Sequence, residues 1–171
     1  MRFLLLNQFY PPDVAPTGQY LHDLAQTLVE RGHAVRVLCS RRSYDGGADY
    51  AANETLNGVQ IHRLRAFGFG RRGFAGKLLD YASFYLLLAL RLFFTKYKPD
   101  VILALTTPPY IGLLARFAAR FHGCRHAHWV MDLYPDVLEA HLGTRSGERG
   151  ARMSGGVGVW GYGGQCLVPD T

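Results

Sequence analysis

The chain has 171 residues, of which 49% are hydrophobic and 19% charged, so it is long enough for one sizeable core and too short for two to be expected. Its formal charge of +6 favours an anionic partner, and charge alone leaves open nucleic acid, a membrane surface and a phosphorylated small molecule. Three distant cysteines without metal-ligand spacing indicate a reducing cytosol, and the four apolar residues after Arg2 are too few for a signal-peptide core.

The first predicted elements alternate between strand and helix. Residues 2–9 form an apolar run that is typical of a buried strand. Leucines at helical spacing predict a helix that begins at Gly18, and Gly32 lies where a left-handed cap would end it. Residues 34–40, AVRVLCS, predict the second strand.

The middle of the chain continues this alternation after a hairpin signal. Asn57-Gly58 is the dipeptide that two-residue hairpins favour most, so the third strand is expected to begin at that turn. This third strand is predicted at 59–65, and an apolar helix at 75–96 and a strand at 101–105 follow it. The next helix begins at TTPPY and ends near Gly123, and the last predicted strand is at 126–131.

Short apolar strands that alternate with helices predict an α/β fold with a doubly wound, mostly parallel, Rossmann-like sheet. In the usual order 3-2-1-4-5, the strand order reverses between the first and fourth strands, and ligands bind beyond the carboxyl ends of the strands at that point. The loops at residues 10–18 and 106–110 would then face each other, with residues 131–136 beside them.

These loops also carry a family resemblance. The segments FYPPDVAPTGQYLHDLAQTLVERGHAVRVLCSR, KPDVILALTTPPY and HWVMDLYPDV occur in this order over residues 1–142. In their order and spacing they resemble the amino-terminal half of glycosyltransferase family 4. The chain looks most like the fucosamine-transferase-like branch, which builds bacterial surface polysaccharides on polyprenyl-linked lipid.

The resemblance implies one half of a GT-B enzyme, which acts with retention and without a metal or another cofactor. In such enzymes the amino-terminal domain binds the acceptor and a carboxyl-terminal domain binds the nucleotide sugar. The implied partners are therefore a nucleotide sugar and a lipid-linked acceptor, at the inner face of the cytoplasmic membrane. The donor domain has no counterpart in the sequence, so the chain alone is expected to be inactive, and a separate donor-domain subunit stays open.

The resemblance also indicates site residues. Asp132 follows the predicted fifth strand, where family members carry an acid or histidine that faces the reacting sugar, so it is the candidate catalytic residue. The candidate substrate-binding residues are Thr17, Gly18, Thr106, Thr107 and Tyr134. Gly18 would let helix amides approach a diphosphate. Alternatively, Gly18 relieves a turn, and Asp132 caps a helix or makes a loop hydrogen bond. The corresponding alternative for Thr106, Thr107 and Tyr134 is that they satisfy loop backbone groups.

A basic and aromatic stretch follows the predicted third strand. It begins at Arg63, and its candidate membrane-docking residues are Arg65, Phe69, Arg71, Arg72, Phe74 and Lys77. A solvated loop is the plainer interpretation. The apolar run at 81–90 is too short to span a bilayer and is interpreted as a buried crossover helix, or in part as a docking element.

The glycine-rich segment at 143–171 lacks apolar periodicity and is expected to be disordered or aberrant, which divides the chain into a domain at 1–142 and a tail. Truncation, a frameshift and a natural short form stay open.

The alternative function is a non-catalytic module that binds a membrane surface or a subunit. Nucleic acid is disfavoured because the basic residues match no known motif. The sequence GFGRRG at residues 68–73 matches the glycine spacing of the dinucleotide-binding fingerprint. That fingerprint belongs after the first strand of a Rossmann unit, whereas this one follows the third strand, so a dinucleotide site is not predicted.

Overall fold

A computed structural model describes residues 1–44, 49–65 and 73–131, with the side chains of 73–75, 77 and 78 left out. The strands are β1 (Arg2–Leu6), β2 (Ala34–Ser40), β3 (Asn53–Leu56), β4 (Val59–Leu64), β5 (Val101–Ala104) and β6 (Arg125–His128). The helices are α1 (Pro16–Glu30), α2 (Gly73–Phe93) and α3 (Ile111–His122). The predicted domain boundary at 142 and the tail lie outside the described residues.

The six strands form one sheet in the order β3-β4-β2-β1-β5-β6. All neighbours are parallel except β3 and β4, which are antiparallel. The five parallel strands follow the predicted order, and the order reverses between β1 and β5. The predicted doubly wound α/β fold is therefore confirmed.

The antiparallel edge comes from the Asn57-Gly58 turn. Both residues have positive φ, 49° at Asn57 and 81° at Gly58, as a two-residue hairpin requires. The hairpin adds β3, which the sequence did not predict as a strand, because only one of its four residues is even partly buried. A short polar strand of this kind suits the edge of a sheet.

Several predicted boundaries differ from the observed ones for a common reason, which is the position of the hydrogen-bonding partner. The first strand ends at Leu6, beyond which the amide of Gln8 donates to the carbonyl oxygen of Thr107 in the loop after β5, while the Gln8 carbonyl oxygen still accepts the amide hydrogen of Ser40. The last strand ends at His128, where its neighbour β5 has also ended. Sequence periodicity carries no information about where a partner strand stops.

The helices cover the two faces of the sheet unequally. On one face α1 contributes Leu21 and Ala25 to a core with Val37 and Ile61 of the sheet. On the other face α2 and α3 pack over a second core, which contains Leu4, Leu6, Phe84, Leu88, Leu92, Ile102, Ile111 and Ala115. The apolar run at 81–90 lies in a crossover helix as predicted, since α2 follows β4 and precedes β5, but the helix is buried only in part because Tyr81, Leu86 and Leu90 are exposed.

Among the described residues, no helix combines the length and the apolar character needed to cross a bilayer. α2 begins at Gly73 and ends at Phe93, three residues before the predicted end. Beyond it the hydroxyl oxygen of Thr95 accepts the amide hydrogen of Tyr97 at 3.1 Å, which starts a turn. α3 ends as predicted at Gly123, whose φ is 64°.

Candidate functional site at the carboxyl edge of the sheet

The site is formed where the loops after β1 and β5 meet. The amide of Gln8 donates to the carbonyl oxygen of Thr107 at 2.9 Å, and the amide of Leu105 donates to that of Leu6 at 3.1 Å. These bonds hold the two loops side by side at the point where the strand order reverses. The contact joins the start of each loop, at Gln8 and Thr107, and the facing of residues 10–18 and 106–110 stays a prediction.

The loop between β1 and α1 is held by buried polar groups. The amide nitrogen of the Asn7 side chain donates to the carbonyl oxygen of Phe9 at 2.8 Å and to Oγ1 of Thr17 at 3.3 Å. Asp13 is buried, and its Oδ2 accepts the amide hydrogen of Tyr44 at 2.8 Å. The Asp13 carbonyl oxygen also accepts a hydrogen bond from the side chain of Gln19 at 2.9 Å. The proline-rich loop therefore has a defined path across the edge of the sheet.

Arg63 fixes this loop from the neighbouring strand β4. Its guanidinium donates to the carbonyl oxygen of Pro11 at 2.8 Å and to a carboxylate oxygen of Glu54 at 2.6 Å. The Arg63 side chain is fully buried, whereas that of Glu54 is 40% exposed. The sequence placed Arg63 in a solvated basic stretch. That interpretation is wrong for this residue, because Arg63 points inward on its strand and its charge is paired.

Gly18 lies in the first turn of α1, directly against the preceding loop. A Cβ at this position would lie 3.1 Å from the carbonyl oxygen of Phe9 and 3.3 Å from the Cα of Tyr10. The amide of Gly18 donates to the carbonyl oxygen of Ala15 at 3.0 Å. The fold thus has its own reason for a glycine here, which is the close approach of helix and loop. The predicted role of Gly18 in ligand approach stays a prediction.

Three buried oxygen atoms at the edge make no hydrogen bond within the described part of the chain. They are Oδ1 of Asn7, Oε1 of Gln8 and Oγ1 of Thr106. Buried polar atoms are normally hydrogen-bonded, so such atoms call for a partner outside the described residues. All three belong to residues that directly follow β1 and β5. They are hydrogen-bond acceptors at the edge of the sheet where ligands bind in folds of this kind.

Burial shifts the pKa values of the titratable groups around the site. Burial raises the pKa of the Cys39 thiol to about 12, against the opposing influence of Arg63. Burial likewise raises the pKa of the Tyr10 phenol, whose oxygen is 3.0 Å from Nδ1 of His22. On the other side, burial lowers the pKa of His128. Cys39 and Tyr10 are thus neutral at physiological pH and act as packing groups rather than as nucleophiles.

The structure places four of the predicted site residues at this end of the sheet, and the other two lie outside the described residues. Thr17 and Gly18 lie at the start of α1, and Thr106 and Thr107 lie in the loop after β5. Asp132 and Tyr134 lie outside the described residues. The sequence analysis missed Asn7 and Gln8, although polar side chains directly after an apolar strand are a recognisable signal of a sheet edge that binds ligands.

Of the predicted docking residues, Arg65 is exposed at the end of β4. Phe69, Arg71 and Arg72, together with the side chains of Phe74 and Lys77, lie outside the described part of the chain. In that part, no three histidine, cysteine, aspartate or glutamate side chains come together as a metal site would require. His126 and His128 lie on the same face of β6, with ring centroids 6.4 Å apart.

The fold defines a Rossmann-like α/β domain, and domains of this kind bind ligands at the switch point of the parallel sheet. Residues 17–160 match the family model of the glycosyl transferase 4-like domain, so the chain belongs to that family. A comparison with curated proteins finds no match. The predicted glycosyltransferase lineage is thereby confirmed, and a domain of this kind binds a nucleotide sugar and an acceptor in general terms.

Proposed function

We propose that the chain is the amino-terminal, acceptor-binding half of a retaining glycosyltransferase of the fucosamine-transferase-like branch. In this proposal a sugar passes from a nucleotide-sugar donor to a polyprenyl-linked lipid or glycan during synthesis of surface polysaccharide. The domain would work at the inner face of the cytoplasmic membrane. Its donor-binding half would be a second domain or subunit, with Asp132 facing the reacting sugar.

The observation that carries the proposal is the set of unpaired buried oxygens at the junction of the β1 and β5 loops. Sugar hydroxyls both donate and accept hydrogen bonds, so they suit carbonyl and hydroxyl oxygens that lack a partner in the described part of the fold. Arg41 and Arg42 follow β2 at the same edge and provide positive charge for an anionic headgroup. Both features match an acceptor that carries a sugar and phosphate.

Replacement of Thr106 with Val tests the site with a minimal change. The variant removes a hydroxyl that makes no hydrogen bond within the described residues, so the free energy of unfolding should not fall. If the hydroxyl binds acceptor, affinity for a water-soluble sugar-diphosphate acceptor analogue should drop roughly five- to thirtyfold, as expected for one hydrogen bond to a ligand. Isothermal titration calorimetry measures this affinity.

Thr55→Val is the matched control, because Thr55 is an exposed residue on the edge strand β3, away from the junction. It should bind the analogue as the wild-type chain does. Equal affinities for wild type and Thr106→Val would remove Thr106 from the site. Loss of stability in Thr106→Val would instead assign the hydroxyl a structural bond.

The second candidate function is a non-catalytic module that binds a membrane surface or a subunit. The exposed apolar side chains of α2 and α3 favour it, since a catalytic domain needs no such surface for chemistry. Binding of the acceptor analogue at the β1–β5 junction would separate the two functions, because a purely surface-binding module has no use for a sugar site there.

A further inference from the structure

The crossover helix α2 is apolar on the side that faces away from the sheet as well as on the side that faces it. Phe84, Leu88 and Leu92 are fully buried against the sheet. Leu86 and Leu90 point the other way and are 61% and 47% exposed. No charged residue occurs between Asp80 and Arg91. A helix that is apolar all round is normally surrounded by protein or lipid, and water is a poor neighbour for this one.

The neighbouring helix α3 repeats the pattern. Its buried side consists of Ile111 and of glycine and alanine residues, whereas Leu113, Phe117 and Phe121 recur every four residues on the outer side and are more than half exposed. The two helices touch, since the rings of Phe93 and Phe121 are 5.3 Å apart between centroids and Nε2 of His122 is 2.6 Å from the carbonyl oxygen of Leu92. The two outer stripes are therefore neighbours on one side of the sheet.

Together these stripes form what we call the α2–α3 face. Its members are Leu86, Leu90, Phe94, Leu113, Phe117 and Phe121. Phe94 directly follows α2 and is 81% exposed. Single exposed apolar residues are common on protein surfaces, but five on two adjacent helices and a sixth directly after one of them mark a surface with a partner.

The charges next to this face are almost all positive. Arg91, Arg116 and Arg120 lie on the two helices, and Arg65 and Arg91 line a groove of about 350 Å³ with Leu90 and Phe94. The one acid in the described parts of the two helices is Asp80, which is half-buried. A second copy of the chain would oppose arginines to arginines. An anionic bilayer accepts both the apolar side chains and the positive rim.

We propose that the α2–α3 face docks this domain on a bilayer that contains anionic lipid. α2 and α3 both begin at the carboxyl edge of the sheet, so a docked domain holds the β1–β5 junction beside the membrane. The purpose of docking rests on the proposed function, because a lipid-linked acceptor presents its headgroup at the membrane surface, beside the β1–β5 junction. The docking itself needs neither donor nor acceptor, so it is measured independently.

The test is sedimentation of the purified full chain with vesicles of phosphatidylcholine alone or mixed with phosphatidylglycerol. We expect binding to the anionic vesicles, with release as salt rises, since surface attraction is screened over about 8 Å at physiological ionic strength. Leu86→Asp combined with Phe117→Asp should weaken binding at least about tenfold, because two apolar side chains no longer enter the interface. Far-UV circular dichroism verifies that this variant is folded.

A second pair of variants addresses the charges without touching the apolar surface. Arg91→Glu combined with Arg120→Glu should lower affinity for anionic vesicles by about tenfold or more, because each basic residue near an anionic surface contributes to binding. The matched controls are Tyr20→Asp, an exposed aromatic on α1 across the sheet, and Arg31→Glu at the end of α1. Both controls should bind as the wild type does.

Three results would overturn the proposal. The first is equal sedimentation of the wild type with neutral and anionic vesicles. The second is a loss confined to Arg71→Glu combined with Arg72→Glu, which would place docking in the loop before α2. The third is a concentration-dependent dimer in analytical ultracentrifugation that Leu86→Asp abolishes, which would show that a second copy covers the face. None of these results affects the acceptor titration, so failure of docking and failure of the proposed function are distinguishable.

Discussion

Gly18 illustrates how one residue connects the loop of the candidate site to the helix behind it. The backbone of Phe9 and Tyr10 passes so close to Gly18 that a methyl group would contact it at 3.1–3.3 Å. That backbone cannot easily retreat, because Asn7 holds the Phe9 carbonyl oxygen and Tyr10 is buried. The position of the loop therefore depends on the absence of a side chain at residue 18.

We predict that Gly18→Ala lowers the free energy of unfolding by about 1–2 kcal/mol, even though alanine is the better helix former. The steric cost of moving the loop outweighs the gain in helix propensity. Urea denaturation measures the loss, and the amide resonances of Phe9 and Tyr10 should shift in NMR spectra.

Gly32→Ala is the matched control for this effect. A methyl group at residue 32 meets no atom within 4 Å, so that variant carries only the cost of a left-handed backbone with φ of 78°. The resonances of Phe9 and Tyr10 should stay in place. Wild-type stability and unchanged resonances in Gly18→Ala would show that the loop adapts freely, contrary to this account.

At the scale of elements, the packing of α3 on β6 depends on one glycine and one histidine. A Cβ on Gly112 would lie 2.8 Å from the ring of His128, so helix and strand approach each other through this pair. Burial by α3 lowers the pKa of His128 from its ordinary value of 6.5, because the charged ring is poorly solvated there. The neutral ring is the form that fits between the two elements.

We predict that the protein loses stability as the pH falls below 6.5, in part through His128. In this window the unfolded chain binds a proton that the folded chain resists, so acid favours unfolding, and the contribution of His128 is fully present only above that pH. His128→Asn should flatten the decline. Urea denaturation at a series of pH values on either side of 6.5 provides the measurement.

His62 provides a comparison, since burial also lowers its pKa and it lies on β4, remote from α3. His62→Asn and His128→Asn should each remove part of the slope, and the double variant should remove more. A slope that His128→Asn leaves unchanged would mean that the ring accepts its proton without disturbing the contact between α3 and β6.

At the scale of the whole molecule, the described residues form one sheet with one polar edge. Transfer of a sugar requires donor and acceptor to be held together, and that positioning supplies a large part of the rate enhancement. It also requires charge that neutralises the departing nucleotide diphosphate. Under the proposed function, the side chains that supply this charge lie on the donor-binding half.

We therefore predict that a polypeptide of these 171 residues does not transfer sugar by itself and gains activity when a donor-binding domain of a family member is added. The assay incubates purified chain with labelled nucleotide sugars and polyprenyl-diphosphate-linked acceptors and measures labelled lipid. Turnover by the chain alone that copurifies with it and disappears in Asp132→Ala would show that one half suffices.

The amino-acid sequence by itself determined the class of fold, the order of the elements and the place where the strand order reverses. It could do so because the alternation of apolar strands with helices, the Asn57-Gly58 turn and the glycine caps are local signals that neighbouring residues carry. The family motifs of residues 9–41 and 98–110 are equally local. Such signals can be recognised without knowing which elements pack against each other.

Only the tertiary structure decided which polar groups are paired, which lack a partner among the described residues and which apolar residues face water. Arg63 belongs by sequence to a basic stretch, yet its strand turns it inward to Glu54 and Pro11. Leu86 and Leu88 are equally apolar, but the sheet covers Leu88 and leaves Leu86 exposed. Burial and hydrogen bonding depend on residues far apart in the chain, so no local pattern contains them.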